Sequence, residues 1–494
     1  MKKLLVANRG EIAIRIMRSA REMGIRTVAV YSEADRLSRH VLCADEAYLI
    51  GPAASAQSYL NVDKIIEVIK TCGADAVHPG YGFLSENATF ARRCKKEGIT
   101  LVGPSPEAME VMGSKLAAKE AVKKFNVPLV PGTEGAVSDL NEAKSVAKEI
   151  GFPLLIKASA GGGGKGMRIV EKEEELEEML KLAMSEAKNA FGDSSVFIER
   201  YITSPKHIEV QILGDQHGNI VYLFERECSI QRRHQKVIEE APSMVVNDKL
   251  RKEIGECAVM VAKSCGYTNA GTVEFIMDES KNYFFLEMNT RLQVEHPVTE
   301  MITGKDLVKE QIKIARGEAL SFTQEDLKIN GHAIEVRVYA EDPMNNFLPD
   351  IGTIEQYIRP DGIGIRVDDG YVQGDSIPIY YDPMISKLIV HAPNRNEAIE
   401  RMIRAIEEYQ IQGVKTTLAF CKMVLDHKVF RNGKFDTHFV KNHFKPEMLQ
   451  SADSDEMEMA ALLAAFMQQN KSTSPQTKGL VASGSNWKKN RLQD

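Results

Sequence analysis

The chain has 494 residues, which is enough for about three domains of ordinary size. Hydrophobic residues make up 43% and charged residues 27%, a composition typical of soluble globular proteins that argues against wholesale disorder. The 63 basic and 69 acidic residues give a net charge of −6, so nothing in the charge balance indicates nucleic-acid binding or a polybasic membrane anchor.

Targeting signals and cysteines indicate the compartment. No run approaches the roughly 18 apolar residues of a membrane span, and the apolar run near the first residue is too short for a signal peptide. The seven cysteines are scattered, without a Cys-x-x-Cys motif. We therefore expect a cytoplasmic protein with reduced cysteines, without membrane or nucleic-acid partners.

The first 110 residues alternate between strand and helix patterns. The predicted strands are 3–7, 27–31, 74–77 and 99–102, and the predicted helices are 11–23, 59–72 and 88–98. Such alternation predicts an α/β domain with a parallel sheet and right-handed crossovers.

The remainder is less regular. A helix-rich stretch at 107–125 leads to a possible hinge at Pro131-Gly132-Thr133. The elements predicted next, to about residue 203, are a strand at 154–157, a glycine loop, a strand at 167–170, a helix at 173–190 and a strand at 196–201. Paired strands with a few helices follow to about residue 444, an α+β pattern. The tail combines a helix-prone stretch at 455–470 with a Ser/Thr/Gly-rich, flexible one at 472–485.

The glycine loop runs from Ala160 to Gly166. Glycines without a Cβ let backbone N–H groups turn towards an anion. The loop is not a Walker motif, because Gly166 follows Lys165 where Ser or Thr is needed. A flexible surface hairpin is the alternative, but Lys157 on the incoming strand favours a nucleotide phosphate.

Two carboxylates mark a second motif, in a hairpin predicted from strands at 272–277 and 283–289. If the loop is 279–282, Asp278 pairs with Tyr283, Glu274 lies directly opposite Glu287, and Asn289 shares their face. Opposed like charges destabilise a sheet unless a cation lies between them. Two carboxylates and an amide oxygen suit Mg²⁺. A loop one residue different would instead place the glutamates on opposite faces.

Continued alternation would bring Arg291, Gln293 and Glu295 onto that face. A bound phosphate or carboxylate would then meet a guanidinium with bidentate geometry and a carboxylate base. Glu295 could instead be a structural partner of Arg291. A third motif, from Gln231 to Lys236, would place residues 232, 234 and 236 on one strand face, where they bind anions or only face solvent.

A fourth motif is the segment from His78 to Asn87. It follows a predicted parallel strand, and ligands bind at the carboxyl ends of such strands. An ordinary turn before the next helix is the alternative.

Together these segments resemble biotin carboxylase, an ATP-grasp enzyme, over residues 1–445. The resemblance rests on Ala7 to Ala13, His78 to Asn87, Lys157 with the glycine loop, Gln231 to Lys236, and Glu287 to Pro297. It implies an N-terminal pre-ATP-grasp, Rossmann-like α/β domain at 1–115 and an ATP-grasp domain at 116–330 with a mobile lid at about 131–203. A C-terminal biotin carboxylase domain at 331–445 and a tail at 446–494 would follow.

The resemblance also implies the reaction and the residues that perform it. ATP, with Mg²⁺ or Mn²⁺ (two ions), and bicarbonate would carboxylate biotin on a separate carrier protein through carboxyphosphate. The implied ATP contacts are Lys115, Lys157, Gly163, Gly164, Glu199, Arg200, Tyr201, Ile202, Gln231, His207 and His234, with Glu274, Glu287 and Asn289 as metal ligands. The implied bicarbonate and biotin site comprises Lys236, Arg291, Gln293, Val294, Glu295 as general base, Arg337 as the group that stabilises the biotin enolate, and Tyr81.

Several alternatives stay open at this point. The chain has no Ala-Met-Lys-Met biotin-attachment motif and no room for a carboxyltransferase domain, so we expect a subunit with separate carrier and carboxyltransferase partners. The resemblance implies that this subunit is a homodimer. An acetyl-CoA carboxylase, which would serve fatty acid biosynthesis, or a propionyl-CoA carboxylase is favoured over the biotin carboxylase subunit of a two-subunit pyruvate carboxylase. The rival functions are another ATP-grasp ligase and a catalytically silent ATP-binding subunit.

Overall fold

In a computed structural model of the protein, the first hundred residues form the parallel sheet that their pattern predicts. The elements are β1 (Lys3–Val6), α1 (Gly10–Glu22), β2 (Arg26–Ser32), α2 (Arg39–Cys43), β3 (Glu46–Gly51), α3 (Val62–Cys72), β4 (Ala76–His78), α4 (Ala88–Lys96) and β5 (Thr100–Leu101). The strand order is β3-β2-β1-β4-β5, and all neighbours are parallel. The pattern missed β3, an edge strand in which partly buried and exposed side chains alternate over the first four residues.

The structure describes residues 1–449 except 134, 136, 138, 159–166, 192, 193 and 234, together with 459, 462, 463, 465 and 466. The chain divides into two compact units, Met1–Pro446 and Glu447–Asp494. In the second unit, the described residues from 459 to 466 are helical. The rest of the predicted tail helix and the flexible stretch lie outside the described residues, as does the glycine loop. Among the described helices, none is both long and apolar enough to cross a membrane.

The next region forms a small sheet with helices. Its elements are α5 (Pro106–Gly113), α6 (Lys115–Lys123), α7 (Leu140–Ile150), β6 (Leu154–Ala158), β7 (Met167–Val170), α8 (Leu176–Phe191) and β8 (Val196–Arg200). The predicted helix at 107–125 is two helices, because the Ser114 hydroxyl accepts a hydrogen bond from the Ala117 N–H and starts a new helix. The sheet order is β7-β6-β8, with α7 and α8 in one apolar cluster against it. Closure of this region as a lid stays a prediction.

The largest sheet is antiparallel and contains strands from both sides of residue 330, the predicted domain boundary. Its strands are β9 (Lys206–Gly214), β10 (Ile220–Arg232), β11 (Gln235–Ala241), β12 (Asn269–Met277), β13 (Tyr283–Asn289), β14 (His332–Tyr339), β18 (Ile365–Asp369) and β19 (Met384–Ala392). The order is β13-β12-β9-β10-β11-β14-β19-β18. The pairing of β11 with β14 therefore joins residues on both sides of the expected domain boundary.

Short strands and helices complete the first unit. The short strands are β15 (Glu341–Asp342), β16 (Leu348–Pro349), β17 (Gln356–Ile358) and β20 (Gln410–Gln412). The helices are α9 (Asp248–Ser264), α10 (His296–Thr303), α11 (Leu307–Ala315), α12 (Arg395–Glu408), α13 (Leu418–Asp426), α14 (Lys428–Arg431) and α15 (Phe439–His443). The mixture of a parallel α/β sheet and an antiparallel α+β part confirms the predicted fold class.

Alternation along the large sheet separates an apolar face from an ionisable one. Ile208, Val210 and Val273 belong to the core cluster that includes α9. The intervening residues Glu209 and Glu274 point to the opposite face. Helix α10 packs on the sheet there, against β10, β11, β14 and β19. A buried face that carries carboxylates needs compensating cations, and this is where the predicted site residues meet.

Glu240, on the other face of β11 from Glu239, shows how strongly a buried carboxylate depends on pairing. Arg395 Nε donates to its carboxylate at 2.7 Å, and the His332 ring nitrogen lies 2.8 Å from it. Burial alone would raise the pKa of Glu240, but these partners outweigh burial and lower it to about 2. The ion-paired form therefore stabilises the fold above the ordinary glutamate pKa, and this stabilisation disappears as the pH falls towards 2.

We expect Glu240→Gln to lower the free energy of unfolding by about 3 kcal/mol at neutral pH, because a pKa lowered by roughly two units corresponds to that energy. Urea denaturation of both proteins across a pH series checks this. The difference should shrink as the pH falls below about 4. An undiminished difference in strong acid would contradict the ion-pair explanation.

Candidate active site

The hairpin of β12 and β13 places Glu274 directly opposite Glu287, as predicted. The predicted turn is wrong, however, because Met277 rather than Asp278 pairs with Tyr283. A bulge at Leu286 adds one residue to β13 and restores the register, so that Thr272 lies opposite Asn289. The two carboxylates thus share a face, although the loop differs from the expected one.

The two glutamates differ in their surroundings. Glu274 is nearly buried, and the Asn289 amide donates to its Oε1 at 2.7 Å. Burial alone would raise the pKa of Glu274, but Lys236 and His207 outweigh burial and lower it. Glu287 has the opposite shift, because desolvation and the negative charge of Glu274 raise its pKa.

This pattern fits a divalent cation. Desolvation and the negative charge of Glu274 raise the pKa of Glu287, and a cation bound between the strands would favour its ionised form. The available ligand atoms are carboxylate and amide oxygens, the donors that Mg²⁺ and Mn²⁺ accept. His207 Nε2 lies 2.9 Å from Glu274, but Glu274 raises the pKa of this imidazole to about 9 against the effect of burial. His207 is therefore an ion-pair partner of Glu274 in this structure.

Lys236 is the central cation of the cluster. Its Nζ donates to Glu274 at 3.0 Å and to Glu295 at 2.9 Å, and it also donates to Glu209. Three carboxylates around one ammonium keep it protonated and raise its pKa well above the ordinary value despite burial. The Lys236 ammonium, which neutralises these carboxylates, could also bind a small anion.

The basic strip around Lys236 does not lie on one strand, contrary to prediction. The chain turns at Arg233, which has φ of 49°, and Arg232 on β10 pairs with Gln235 on β11. Lys236 therefore lies opposite Gln231, whose amide donates to the Cys228 carbonyl at 2.8 Å. The chain doubles back at this point, so Arg232 and Lys236 lie on opposite faces of the hairpin. His234 lies outside the described residues.

The prediction that the chain stays extended beyond β13 is also wrong. The strand ends at Asn289, and Glu295 directly precedes α10. The predicted side chains nevertheless reach the cluster. Gln293 donates to Glu274 at 2.7 Å, and Arg291 donates to Asn289 at 2.9 Å. Their convergence depends on a loop that folds back and not on strand alternation.

Glu295 has two cationic partners. Lys236 donates to one carboxylate oxygen, and Arg337 Nη2 donates to the other at 3.0 Å. Burial by itself would raise the pKa of Glu295, but Lys236 and Arg337 lower it below the ordinary value. The carboxylate is thus ionised at neutral pH beside two groups that bind anions, as a base for a small acidic substrate requires. It is not simply the partner of Arg291.

Arg291 is paired elsewhere. Its Nε donates to Glu86 at 2.8 Å, which brings the segment from His78 to Asn87 to the site. The other members of that segment have structural contacts. His78 is fully buried beside Gln311, with 3.3 Å between its ring nitrogen and the amide oxygen. Tyr81 packs against the core of the parallel sheet with its hydroxyl buried.

Helix α6 and strands β6 and β8 contribute a second cluster, around Glu199. Lys119 and Lys157 each donate to this buried carboxylate at 2.5 Å. Burial alone would raise the pKa of Glu199, but the two lysines lower it. Lys119 was not among the predicted residues.

The remaining predicted nucleotide contacts are dispersed. Arg200 donates to the Ile150 carbonyl at 3.2 Å, and the Tyr201 hydroxyl lies 3.3 Å from the His438 ring nitrogen. Ile202 is buried. Lys115 begins α6, and its charge acts on Glu287. Gly163 and Gly164 lie outside the described residues. The Val294 carbonyl accepts a hydrogen bond from Lys387 at 2.8 Å.

Sequence reasoning missed three buried residues of the cluster. Glu209 accepts from Lys236 and from Arg226, whose Nη2 lies 3.3 Å away, and Glu239 accepts from Arg337 Nε at 2.6 Å. A signal for Glu209 was present, because polar residues 207, 209 and 211 alternate with apolar ones along β9. Arg226 and Glu239 join the site only through strand pairing that no local pattern shows.

Three family models match consecutive parts of the chain. They are the biotin carboxylase N-terminal domain at residues 1–109, the carbamoyl-phosphate synthase L chain ATP binding domain at 114–323 and the biotin carboxylase C-terminal domain at 335–442. Biotin carboxylase 1 of Bacillus subtilis is 53% identical over 444 residues, covering 90% of this chain and 99% of its own. A pyruvate carboxylase subunit of Methanothermobacter thermautotrophicus is 52% identical over 472 residues, 95% of this chain and 96% of its own.

Solved structures agree. The biotin carboxylase domain dimer of Hydrogenobacter thermophilus 2-oxoglutarate carboxylase, in complex with MgADP, ADP and bicarbonate, matches with a TM-score of 0.84 and 52% identity, over 92% of this chain and 99% of that one. Biotin carboxylase from Campylobacter jejuni matches with a TM-score of 0.84 and 48% identity, over 90% of this chain and 99% of that one. This chain therefore belongs to the biotin carboxylase family, the ATP-dependent ligases that carboxylate biotin with bicarbonate.

Proposed function

We propose that this chain carboxylates biotin on a separate carrier protein and forms carboxyphosphate from ATP and bicarbonate on the way. The observation that carries the proposal is the convergence of Lys236, Glu295 and Arg337 beside the opposed pair Glu274 and Glu287. One site then offers anion-binding cations, a carboxylate base and a cation site together. ATP binding alone requires neither Glu295 nor Arg337, which argues against a catalytically silent subunit.

The nucleotide and metal roles follow the resemblance. We assign ATP contacts to Lys115, Lys157, Gly163, Gly164, Glu199, Arg200, Tyr201, Ile202, His207, Gln231 and His234. Glu274, Glu287 and Asn289 would hold Mg²⁺ or Mn²⁺, which when bound offsets the negative charge of the terminal phosphates. Lys119 and Lys157 donate to Glu199, so phosphate oxygens would compete with this carboxylate for both ammonium groups.

Bicarbonate is a poor electrophile, and phosphorylation activates it. We assign its binding to Lys236, Arg291, Gln293 and the Val294 backbone, with Glu295 accepting its proton as its oxygen attacks the γ-phosphorus of ATP. The phosphorus–oxygen bond to ADP breaks in the same displacement, and the products are ADP and carboxyphosphate. The ionised Glu295 carboxylate is suited to this role, since it must be unprotonated to accept the proton.

The second step carboxylates biotin. Carboxyphosphate gives CO₂ and phosphate in the closed site, the phosphate takes the proton from the ureido nitrogen, and this nitrogen attacks CO₂. Arg337 stabilises the negative oxygen of the biotin enolate, and Tyr81 lines the biotin side. Because water would destroy the intermediate, we propose that the lid at about 131–203 closes over the site.

The chain would act as one component of a larger complex. We propose domains at 1–115, 116–330 and 331–445, followed by the tail at 446–494, with a homodimer, a biotin carrier protein and a carboxyltransferase as partners. The solved relative described as a domain dimer supports the homodimer.

The acyl acceptor has two candidates. The first is acetyl-CoA or propionyl-CoA, which would make the chain part of an acyl-CoA carboxylase. A 2-oxoacid carboxylase, such as pyruvate carboxylase, is the second. Relatives of both kinds match over similar lengths, 472 residues for the pyruvate carboxylase relative and 483 for the propionyl-CoA carboxylase alpha chain of Ruegeria pomeroyi. Purification of the native complex and identification of its transferase component would decide between them.

We expect purified protein to release phosphate from ATP in the presence of bicarbonate and to release it faster when free biotin is added. Biotin enters only in the second step, so its effect separates the candidate functions. Release that ignores biotin would favour another ATP-grasp ligase. No release under any condition would favour a silent ATP-binding subunit.

A further inference from the structure

Two buried carboxylic side chains lie on the same sheet face as Arg337, the arginine that we propose stabilises the biotin enolate. Glu239 on β11 and Glu335 on β14 are directly opposed in the sheet, and neither is exposed to solvent. Arg337, two residues along β14, shares their face and donates from Nε to Glu239 Oε1 at 2.6 Å. Glu239 therefore contacts Arg337 through Nε, while Glu295 contacts the same guanidinium through Nη2.

Three oxygens of this pair lack hydrogen-bond partners among the described residues: Glu239 Oε2 and both carboxyl oxygens of Glu335. The charged and titratable groups that face the pair are Arg337, Lys236, Lys387, Glu295 and the Cys421 thiol. Lys387 donates to the Val294 carbonyl, with Glu11 at 3.5 Å. Arg337 is thus the cation hydrogen-bonded to this carboxyl pair.

Two ionised carboxyls in this position would be strongly unfavourable, because directly opposed like charges repel and burial removes water. Burial raises the pKa of Glu239 to about 7 and raises that of Glu335 well above its ordinary value. A protonated Glu335 could donate to Glu239 Oε2. One shared proton would satisfy two of the three unpartnered oxygens and leave the pair with a single negative charge opposite Arg337.

We propose that Glu335 is a positioning residue, which shares a proton with Glu239 and so holds this carboxylate where it orients the Arg337 guanidinium. Glu239 binds Nε, which leaves Nη2 directed to Glu295. The inference rests on the proposed function for the role of Arg337 towards biotin. The shared proton itself does not depend on that role.

Two substitutions of Glu335 separate positioning from simple packing. Glu335→Gln keeps the size and a donor for Glu239, and we expect its biotin-stimulated phosphate release to stay within about threefold of the wild type. Glu335→Leu keeps much of the volume but removes the donor. We expect it to lower kcat for the biotin-stimulated reaction about tenfold or more while leaving KM for ATP unchanged. Glu240→Gln, a buried carboxylate on the other face of β11, is the control that loses stability without this kcat effect.

Infrared difference spectroscopy tests the proton without any activity. The full-length wild type minus Glu335→Gln, at neutral pH, should show the carbonyl stretch of a protonated carboxylic acid. Absence of this band would overturn the shared proton, as would a Glu335→Gln variant as impaired as Glu335→Leu. A Glu335→Leu variant with wild-type biotin-stimulated kcat would overturn the positioning role. A wild type that releases phosphate without responding to biotin would instead refute the proposed function and leave the infrared result intact.

Discussion

Replacement of Glu295 by alanine is expected to lower turnover by roughly 100- to 10,000-fold, the range found for the loss of a general base. The carboxylate lies between Lys236 and Arg337, so its removal takes away the only proton acceptor that we assign to bicarbonate. Nucleotide affinity should change less than about twofold, because neither partner is assigned to ATP. Phosphate release and the Kd for ATP measure the two effects.

The substitution should not unfold the protein. Lys236 keeps Glu209 and Glu274 as partners, and Arg337 keeps Glu239. Glu225→Gln is the matched control, since Glu225 is a buried glutamate on β10 that pairs with Arg251 at 2.9 Å. It should retain turnover. A Glu295→Ala protein that loses ATP binding along with turnover would contradict the assigned role.

Glu287→Gln is expected to lower turnover about a hundredfold or more by weakening the cation site. The substitution should also remove a destabilising effect of the Glu287 carboxylate on the fold. Glu287 has a raised pKa, so its ionised form is unfavourable in the metal-free fold at neutral pH, and the neutral glutamine removes that cost. Metal-free Glu287→Gln should therefore melt at the same temperature as the wild type or higher, while the rise in Tm on adding MgCl₂ should become smaller.

Thermal unfolding with EDTA measures the Tm of the metal-free proteins, and thermal unfolding with MgCl₂ measures the rise in Tm that the metal causes. Glu279→Gln, an exposed glutamate in the loop of the same hairpin, is the control and should keep the Mg²⁺ response. The metal assignment would fail if Glu287→Gln responded to MgCl₂ as strongly as the wild type does.

Local sequence patterns predicted those parts of the fold in which each element has its own signal. The parallel sheet follows from short apolar strands that alternate with amphipathic helices, and the pairing of Glu274 with Glu287 follows from two β-rich runs joined by a short loop. The predicted loop was one residue too short, but a bulge at Leu286 adds one residue to β13, so the predicted pairing of the two glutamates is still correct. The bulge itself was not predicted, because bulges leave little trace in the sequence. The turn at Arg233 was missed because a non-glycine residue adopts positive φ there.

Glu209 has a local signal in the alternation along β9, but Arg226 and Glu239 could not be found in this way. Glu209, Arg226 and Glu239 come from three strands, and their contacts depend on the order in which the large sheet pairs. Strand order joins segments far apart in the chain, so a local pattern carries no information about it. Glu86 likewise meets Arg291 across about two hundred residues.

The amino-acid sequence by itself determined which chemical groups this protein possesses, because side-chain types and two-residue alternation are local properties. Only the tertiary structure decided which charges neutralise one another. The ion pairs of Lys236 and the opposed carboxyls of Glu239 and Glu335 arise where distant strands are buried together, and burial makes each charge depend on its neighbours.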